Sequence, residues 1–227
     1  MLFGDYGYGG EIAVNRSYNV EFCGDYCKCE SGALTSHLSR LYAAEGRSGL
    51  EWAFGLPGTL GGAIVGNAGA FGGCIGDCVY SVTVLCGGKI KTLRRGECGF
   101  GYRRSAVSGV VLGAVLYAPR ADVAEVKAKC EFNLKKRKNS QPGGASAGSV
   151  FKAVGNLSAG YILDRCGLRG KKVGGAIVSP KHANFIINTG GATSADILQL
   201  IRTAEAEVFD RYGIILRREV KLIGDFC

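Results

Sequence analysis

Residues 55–73 read GLPGTLGGAIVGNAGAFGG, and their reading decides how the rest of the chain is understood. Eight of these nineteen positions are glycine (Gly55, Gly58, Gly61, Gly62, Gly66, Gly69, Gly72 and Gly73), with Pro57, Thr59, Asn67 and small alanines between them. Glycine at this density lets the backbone take left-handed conformations and come close to a ligand with no side chain in the way. Free backbone N–H groups in such a run form concave nests that hold anionic or carbonyl oxygens. A flexible linker would carry serine, glutamine and charge. This stretch is apolar and uncharged, so it is expected to pack and to cradle a ligand.

Outward from that stretch, composition sets the bounds. At 227 residues the chain has room for one large or two small domains with a real core. Hydrophobic content of 47% with 21% charged residues is ordinary for a globular protein. The longest apolar run, Val107–Ala118, suits a buried strand and is too short for a membrane span. The first residues, MLFGDYGYGG, lack the basic start and apolar centre of a signal peptide, so a cytoplasmic protein without a membrane role is expected.

The net charge of +9 favours anionic partners. Basic pairs are scattered, and the one true run, Lys135–Lys138, has no aromatic interleaving and no nucleic-acid motif around it. Nucleotide ligands are expected rather than nucleic acid. Ten cysteines would mean disulfides in a small secreted protein, but this chain is too large and shows no export signal. Cys23, Cys27 and Cys29 lie close together, and Cys74 and Cys78 form a CxxxC; neither has the CxxC spacing of common zinc sites. Free thiols packed as small hydrophobes are expected, and no metal.

Periodicity supplies the elements. Tyr8–Phe22 alternates loosely and reads as one or two strands. Leu34–Glu45 is an amphipathic helix, with Leu34, Leu38, Leu41 and Tyr42 on one face and Gly46 as its stop. Val79–Leu85, the turn Gly87–Gly88 and Lys89–Leu93 read as a hairpin, and Val110–Ala118 as a buried strand. Ala121–Lys138 is a long charged helix broken at Pro142, and the domain boundary is placed near Pro119–Ala121, giving domains 1–119 and 120–227. Ser158–Cys166 reads as a short helix, and Ala176–Val178 and Phe185–Ile187 as strands. Thr193–Asp196 is a capping-box start for a helix closed by Gly213, and Ile214–Ile223 is the last strand. The fold class is α+β, in two unequal parts.

Four places hold polar residues in unusual company. Cys98–Ser105 sets Tyr102 and Arg103 in a glycine-flanked turn, where Arg103 is either a bidentate clamp for a carboxylate or phosphate or a solvated arginine. In SAGSVFK, Ser149 has no nucleophile elbow or Ser-His-Asp company, so proton donation or hydrogen bonding suits it better than acyl chemistry. Lys181-His182-Ala183-Asn184-Phe185 leads into an apolar strand and reads equally well as only a loop. A period of two over Arg217–Ile223 puts Glu219 and Lys221 on one face and Val220 and Leu222 on the other; alone, that is an exposed charged face.

Taken together, GLEWAFGLPGTLGGAIVGNAGAFGG, CGFGYRRS, SAGSVFK, GGAIVSPKHANFIINTGGATSADILQLI and EVKLIG follow one another as in the UDP-N-acetylenolpyruvoylglucosamine reductase (MurB) family. The chain resembles the shorter type of that family from about Ser31 to Gly224. The resemblance implies an FAD-binding domain of the vanillyl-alcohol-oxidase (PCMH) kind, followed by a smaller α+β substrate domain. The implied reaction reduces UDP-N-acetylglucosamine enolpyruvate to UDP-N-acetylmuramate for peptidoglycan synthesis, with NADPH and FAD, in a monomeric enzyme. It assigns Ser149 as proton donor, with Arg103 and Glu219 stabilising the enol intermediate. It assigns Tyr102, Arg137 and Lys152 to the substrate, and Gly55, Pro57, Gly58, Thr59, Gly61, Gly62, Asn67, Gly69 and Ala70 to FAD.

Three departures accompany the resemblance. The family carries a Gly-x-Gly-Ser-Asn loop for the FAD pyrophosphate before the point where this sequence begins, so the expectation is a truncated FAD-binding domain with an incomplete N-terminal lobe. Lys221 stands where an arginine is usual, and Ala153 where an asparagine commonly follows GSVFK. The rival readings are an FAD-deficient fragment that keeps only nucleotide-sugar binding, another flavin oxidase on the same fold, and a basic nucleic-acid binder.

Overall fold

A computed structural model describes residues 1–226, which fall into two compact units, Ala13–Arg137 and Met1–Ile12 with Lys138 onward. The sequence placed the division at 119/120; here it falls at 137/138. The physical reason is the long helix Val123–Ser140, whose Val126 and Cys130 are buried against Ala43. The helix up to Arg137 therefore belongs to the first unit. Met1–Ile12 belongs instead to the second unit.

The Ala13–Arg137 unit is built on a five-stranded antiparallel sheet in the order Val20–Cys23, Tyr26–Glu30, Val110–Tyr117, Val79–Cys86, Lys89–Arg94. Tyr26–Glu30 alternates exposed and buried, which turns Cys27 and Cys29 inward as core residues with their sulfurs 3.3 Å apart. The helices Thr35–Ala44 and Leu60–Gly66 contribute Leu38, Leu60 and Ile64 to a core that also holds Val82 and Leu116, all at 0% exposure. Each such side chain contributes about 1.5–3 kcal/mol by leaving water. Arg47 is buried as well, and its guanidinium donates to the carbonyls of Gly24 and Ala118 at 2.8 and 3.0 Å.

Two expectations change in this unit. The glycine-rich stretch is not all loop: its middle forms the helix Leu60–Gly66, started by Thr59, whose hydroxyl accepts from the Gly62 N–H. Tyr8–Phe22 yields only the strand Val20–Cys23. Upstream, the Asn15 carboxamide oxygen accepts from the Ser17 N–H at 2.8 Å, a local turn that competes with strand pairing.

The second unit has a four-stranded antiparallel sheet in the order Lys172–Val173, Ala176–Val178, Phe185–Asn188, Ala145–Ser149. The helices Ala159–Arg165 and Ser194–Tyr212 bury Ile162, Leu163, Leu200, Ile201 and Val208 in its core. The Thr193–Asp196 capping box and the left-handed Gly213 cap both form. The last strand is shorter than the alternation suggested, only Leu222–Ile223, and it pairs in parallel with Leu2–Phe3. Before it the ladder breaks, because the Val150 carbonyl accepts from both Glu219 and Val220 N–H groups. Among the described residues no helix is long and apolar enough to cross a membrane, and no group of three metal-ligating side chains forms.

Candidate active site

The candidate residues fall into two neighbourhoods, one in each unit. In Ala13–Arg137 the glycine-rich stretch opens a cleft of about 490 Å³, lined by Asn67, Gly69, Ala70, Phe71, Tyr102 and Arg103 among others. That volume is in the range of small-molecule and cofactor sites. Among the described residues, the three non-glycine positions with positive φ are Asn67 (42°), Phe71 (53°) and Arg103 (53°), and all three line this cleft. At Phe71 and Arg103 a left-handed residue with a Cβ costs about 1–2 kcal/mol, whereas Asn67 is a helix C-cap in a conformation asparagine takes readily. Such strain persists only where neighbours hold it, and it gathers at functional sites.

The neighbours that hold it are visible. The Asn67 carboxamide accepts from the Gly76 N–H and donates to the Gly101 carbonyl, each at 3.0 Å, tying the glycine-rich stretch to the Tyr102–Arg103 turn. That turn is pinched by reciprocal backbone bonds between Gly101 and Arg104 at 3.0 and 3.2 Å. The Arg103 guanidinium lies 5.2 Å over the Tyr102 ring. The Phe71 ring carries Lys136 Nζ at 5.3 Å and the Arg137 guanidinium at 5.1 Å. Arg137 also donates to the Trp52 carbonyl at 3.4 Å, and burial lowers its pKa. Arg137, assigned to substrate by resemblance, thus supports the Phe71 wall of the cleft.

The expected nest of free N–H groups is only partly present. The Leu60 and Gly61 N–H groups donate to the carbonyls of Ala33 and Ser31, both at 2.8 Å, and the Gly62 N–H goes to Thr59 Oγ1. What the stretch offers a ligand is bare space. A Cβ at Gly58, Gly66 or Gly72 would meet nothing within 4 Å, and at Gly62 only Thr59 Oγ1 at 3.6 Å. By contrast, a Cβ at Gly69 would stand 2.6 Å from the Gly73 carbonyl oxygen, at Gly55 2.9 Å from Leu134, and at Gly61 3.1 Å from Ser31. The first set leaves open backbone faces with no steric demand from the protein, which suits the flat ring system and chain of FAD. Pro57 fixes the entry to this segment by locking its own φ.

In the second unit the structure brings Ser149, Lys152 and Glu219 into one neighbourhood. Ser149 ends its strand opposite Phe185, while Ser146 stands opposite Ile187, so three steps on one strand face two on the other. This is a bulge, and Gly148 within it has φ +82° with open space where a Cβ would be. Bulges re-aim side chains and favour active sites. The Glu219 N–H donates to the carbonyl of Val150, next to Ser149, at 2.7 Å, and the Lys152 N–H donates to the Arg217 carbonyl at 2.8 Å. Arg218 anchors the Glu219 segment through a bidentate pair with Glu205 at 2.5 and 2.6 Å, and that bond raises its pKa.

Sequence reading passed over Phe71 and left Asn184 undecided. Nothing local marks Phe71 as left-handed. Asn184 lay in the stretch that read as a loop, yet it is 5% exposed and fully engaged with Phe151.

Comparison with known proteins adds the rest. A profile of the UDP-N-acetylenolpyruvoylglucosamine reductase C-terminal domain matches residues 139–223, and an FAD binding domain profile matches residues 4–94. UDP-N-acetylenolpyruvoylglucosamine reductase of Caldicellulosiruptor bescii is 38% identical over 236 residues, covering 100% of this chain and 74% of the relative. The enzyme of the same name from Synechococcus elongatus is 42% identical over 201 residues, covering 86% of this chain and 67% of its own. The crystal structure of UDP-N-acetylenolpyruvylglucosamine reductase (MurB) from Thermus caldophilus superposes with a TM-score of 0.79 at 34% identity, covering 85% of this chain and 71% of that one. With an FAD-binding domain followed by a MurB C-terminal domain, this chain belongs to the UDP-N-acetylenolpyruvoylglucosamine reductase family of flavin-dependent oxidoreductases.

Proposed function

We propose that this chain reduces UDP-N-acetylglucosamine enolpyruvate to UDP-N-acetylmuramate, taking its electrons from NADPH. The observation that carries the reading is the convergence of the three left-handed residues Asn67, Phe71 and Arg103 on one glycine-lined cleft. FAD, when bound, would supply the two-electron redox chemistry between NADPH and the substrate double bond. Gly69, Gly72 and Gly73 line the cleft that would hold it, and the Asn67 bonds to Gly76 and Gly101 keep that cleft in shape.

The chain's own residues handle charge and protons. Hydride addition at the terminal carbon leaves negative charge shared between the ether-bearing carbon and its carboxylate. Arg103 supplies the compensating positive charge, and fixed donors of this kind are worth about 10²–10³ in rate. Ser149 gives its hydroxyl proton to the ether-bearing carbon and recovers one from solvent afterwards. Glu219 acts with Arg103 in stabilising the charge-shifted intermediate. Tyr102 and Lys152 bind the nucleotide sugar.

The test begins with the visible spectrum of the purified chain titrated with FAD. Saturable binding with a perturbed flavin band is expected. Retention of the UDP-sugar with no flavin binding would replace this reading by that of a nucleotide-sugar binder. Separate half-reactions follow: Ser149→Ala and Glu219→Gln should still be reduced by NADPH and should fail to turn over the enolpyruvyl substrate. Equal loss of both half-reactions would remove these residues from the assigned roles.

A further inference from the structure

We infer that Asn184 is the positioning residue for proton delivery by Ser149, an inference that rests on the proton-donor role given to Ser149 above. The strand Ala145–Ser149 loses its partner at Ser149, where the ladder to Phe185–Asn188 runs out. Asn184, the residue before that partner strand, continues the ladder with its side chain. Its Oδ1 accepts from the Phe151 N–H at 2.9 Å, and its Nδ2 donates to the Phe151 carbonyl at 2.8 Å. A carboxamide has the donor and acceptor of a peptide group, so it stands in for the missing rung.

The backbone of Asn184 is used as well. Its carbonyl accepts from the Val150 N–H at 2.9 Å, and the Val150 carbonyl in turn takes the Glu219 N–H at 2.7 Å. One residue therefore fixes the segment on which Ser149 sits and, through Val150, the segment that carries Glu219. Asn184 is itself set by the turn before it. Its N–H donates to His182 Nδ1 at 3.2 Å, and Ser179 Oγ accepts from the Lys181 and His182 N–H groups at 3.1 and 3.2 Å. With Gly148 turning the strand at φ +82° just before Ser149, the Asn184 clip is what locks the far side.

The chemistry gives this a distinctive readout. Protonation of the ether-bearing carbon creates a stereocentre, since that carbon then carries hydrogen, methyl, carboxylate and the ether oxygen. A held hydroxyl protonates one face. A displaced hydroxyl lets water compete from either face, and a shift of about 1 Å costs about a hundredfold in rate.

The experiment uses the full chain with FAD and NADPH, in anaerobic half-reactions, alongside amide hydrogen exchange. Asn184→Ala should leave flavin reduction by NADPH within about twofold of wild type. It should slow the substrate half-reaction by about a hundredfold and give product of both configurations. It should also raise exchange in residues 145–152 and 217–220 and leave the helix Ser194–Tyr212 protected. Asn184→Asp is the second variant, chosen because it keeps size and one acceptor. It lacks the donor to Phe151 until its carboxyl is protonated, so its activity relative to wild type should recover as pH falls. A wild-type rate, one product configuration and unchanged exchange in both variants would overturn the inference. Ser149→Ala in the same assay separates the two claims: if it turns over normally, the proton-donor role fails first; if it is dead while Asn184→Ala is normal, only the role of Asn184 fails.

Discussion

The cleft in Ala13–Arg137 and the Ser149–Glu219 neighbourhood in the second unit are made of different material. The first is built from backbone: missing side chains at Gly69, Gly72 and Gly73, and left-handed turns at Asn67, Phe71 and Arg103. The second is built from hydrogen bonds that side chains contribute, Asn184 to Phe151 and Arg218 to Glu205. A surface made by absent atoms is damaged by adding atoms, whereas a frame made by present ones is damaged by removing them. The two regions should therefore respond to opposite kinds of substitution.

The largest effect is expected where the two logics meet, at Arg103, a charged side chain on a strained backbone. Arg103→Ala should lower kcat/KM by about 10²–10³ while FAD still titrates to saturation, as followed by steady-state kinetics and the flavin spectrum. Arg103→Gly would relieve the backbone strain and lose the charge; if it matched wild type, charge stabilisation would not be this residue's task. Next comes Gly148→Ala, which places a Cβ on a left-handed bulge residue. It should cost about 1–2 kcal/mol of stability, measured by chemical denaturation, and slow the substrate half-reaction more than flavin reduction.

A smaller and opposite-signed effect is expected at Gly62. It sits in the helix Leu60–Gly66, and a Cβ there meets only Thr59 Oγ1 at an ordinary 3.6 Å. Gly62→Ala should stabilise the ligand-free chain by about 0.8–1 kcal/mol through helix propensity and weaken FAD binding. A variant both more stable and equally tight for FAD would show that the bare helix face does not meet the flavin.

The smallest effect concerns pH. Burial holds the His182 pKa below its ordinary value, Arg169 lowers it further, and Asp164 and a backbone bond oppose both. The folded pKa is depressed, so below about pH 6.5 the unfolded chain binds the extra proton more readily. Stability from this group is therefore present above that pH and lost as pH falls through the folded value. Protonation also removes the Nδ1 acceptor that the Asn184 N–H uses. Thermal melts between pH 7.5 and 5.5 should show a decline that is shallower in His182→Gln.

Much of the fold was legible because its signals are local. Thr193–Asp196 marks a helix start by spacing alone, Gly87–Gly88 marks a hairpin, and Leu38 and Tyr42 mark a buried helix face. Ser149, Arg103 and Glu219 could be picked out as polar residues in unusual company, but their proposed roles came only with the family resemblance. What stayed hidden depends on distant partners. The helix Leu60–Gly66 was masked by three glycines that argue against helix and are overruled by the burial of Leu60 and Ile64. The role of Asn184 cannot be read without knowing that Phe151 arrives beside it. The 137/138 division depends on Val126 and Cys130 finding Ala43, a contact that no composition shift announces.

The parallel pairing of Leu2–Phe3 with Leu222–Ile223 has a consequence for the order of folding. The Ala13–Arg137 unit is a continuous stretch and can complete its sheet while the ribosome is still adding residues. The other unit joins Leu2–Phe3 to Leu222–Ile223 across that whole stretch, and the entropy of closing so long a loop is recovered only when both strands are in place. Residues 2–3 must wait, without their partner strand, until residues 222–223 have been made. Maturation should therefore proceed in two steps, the continuous unit first and the discontinuous one only after Leu222–Ile223 has been made.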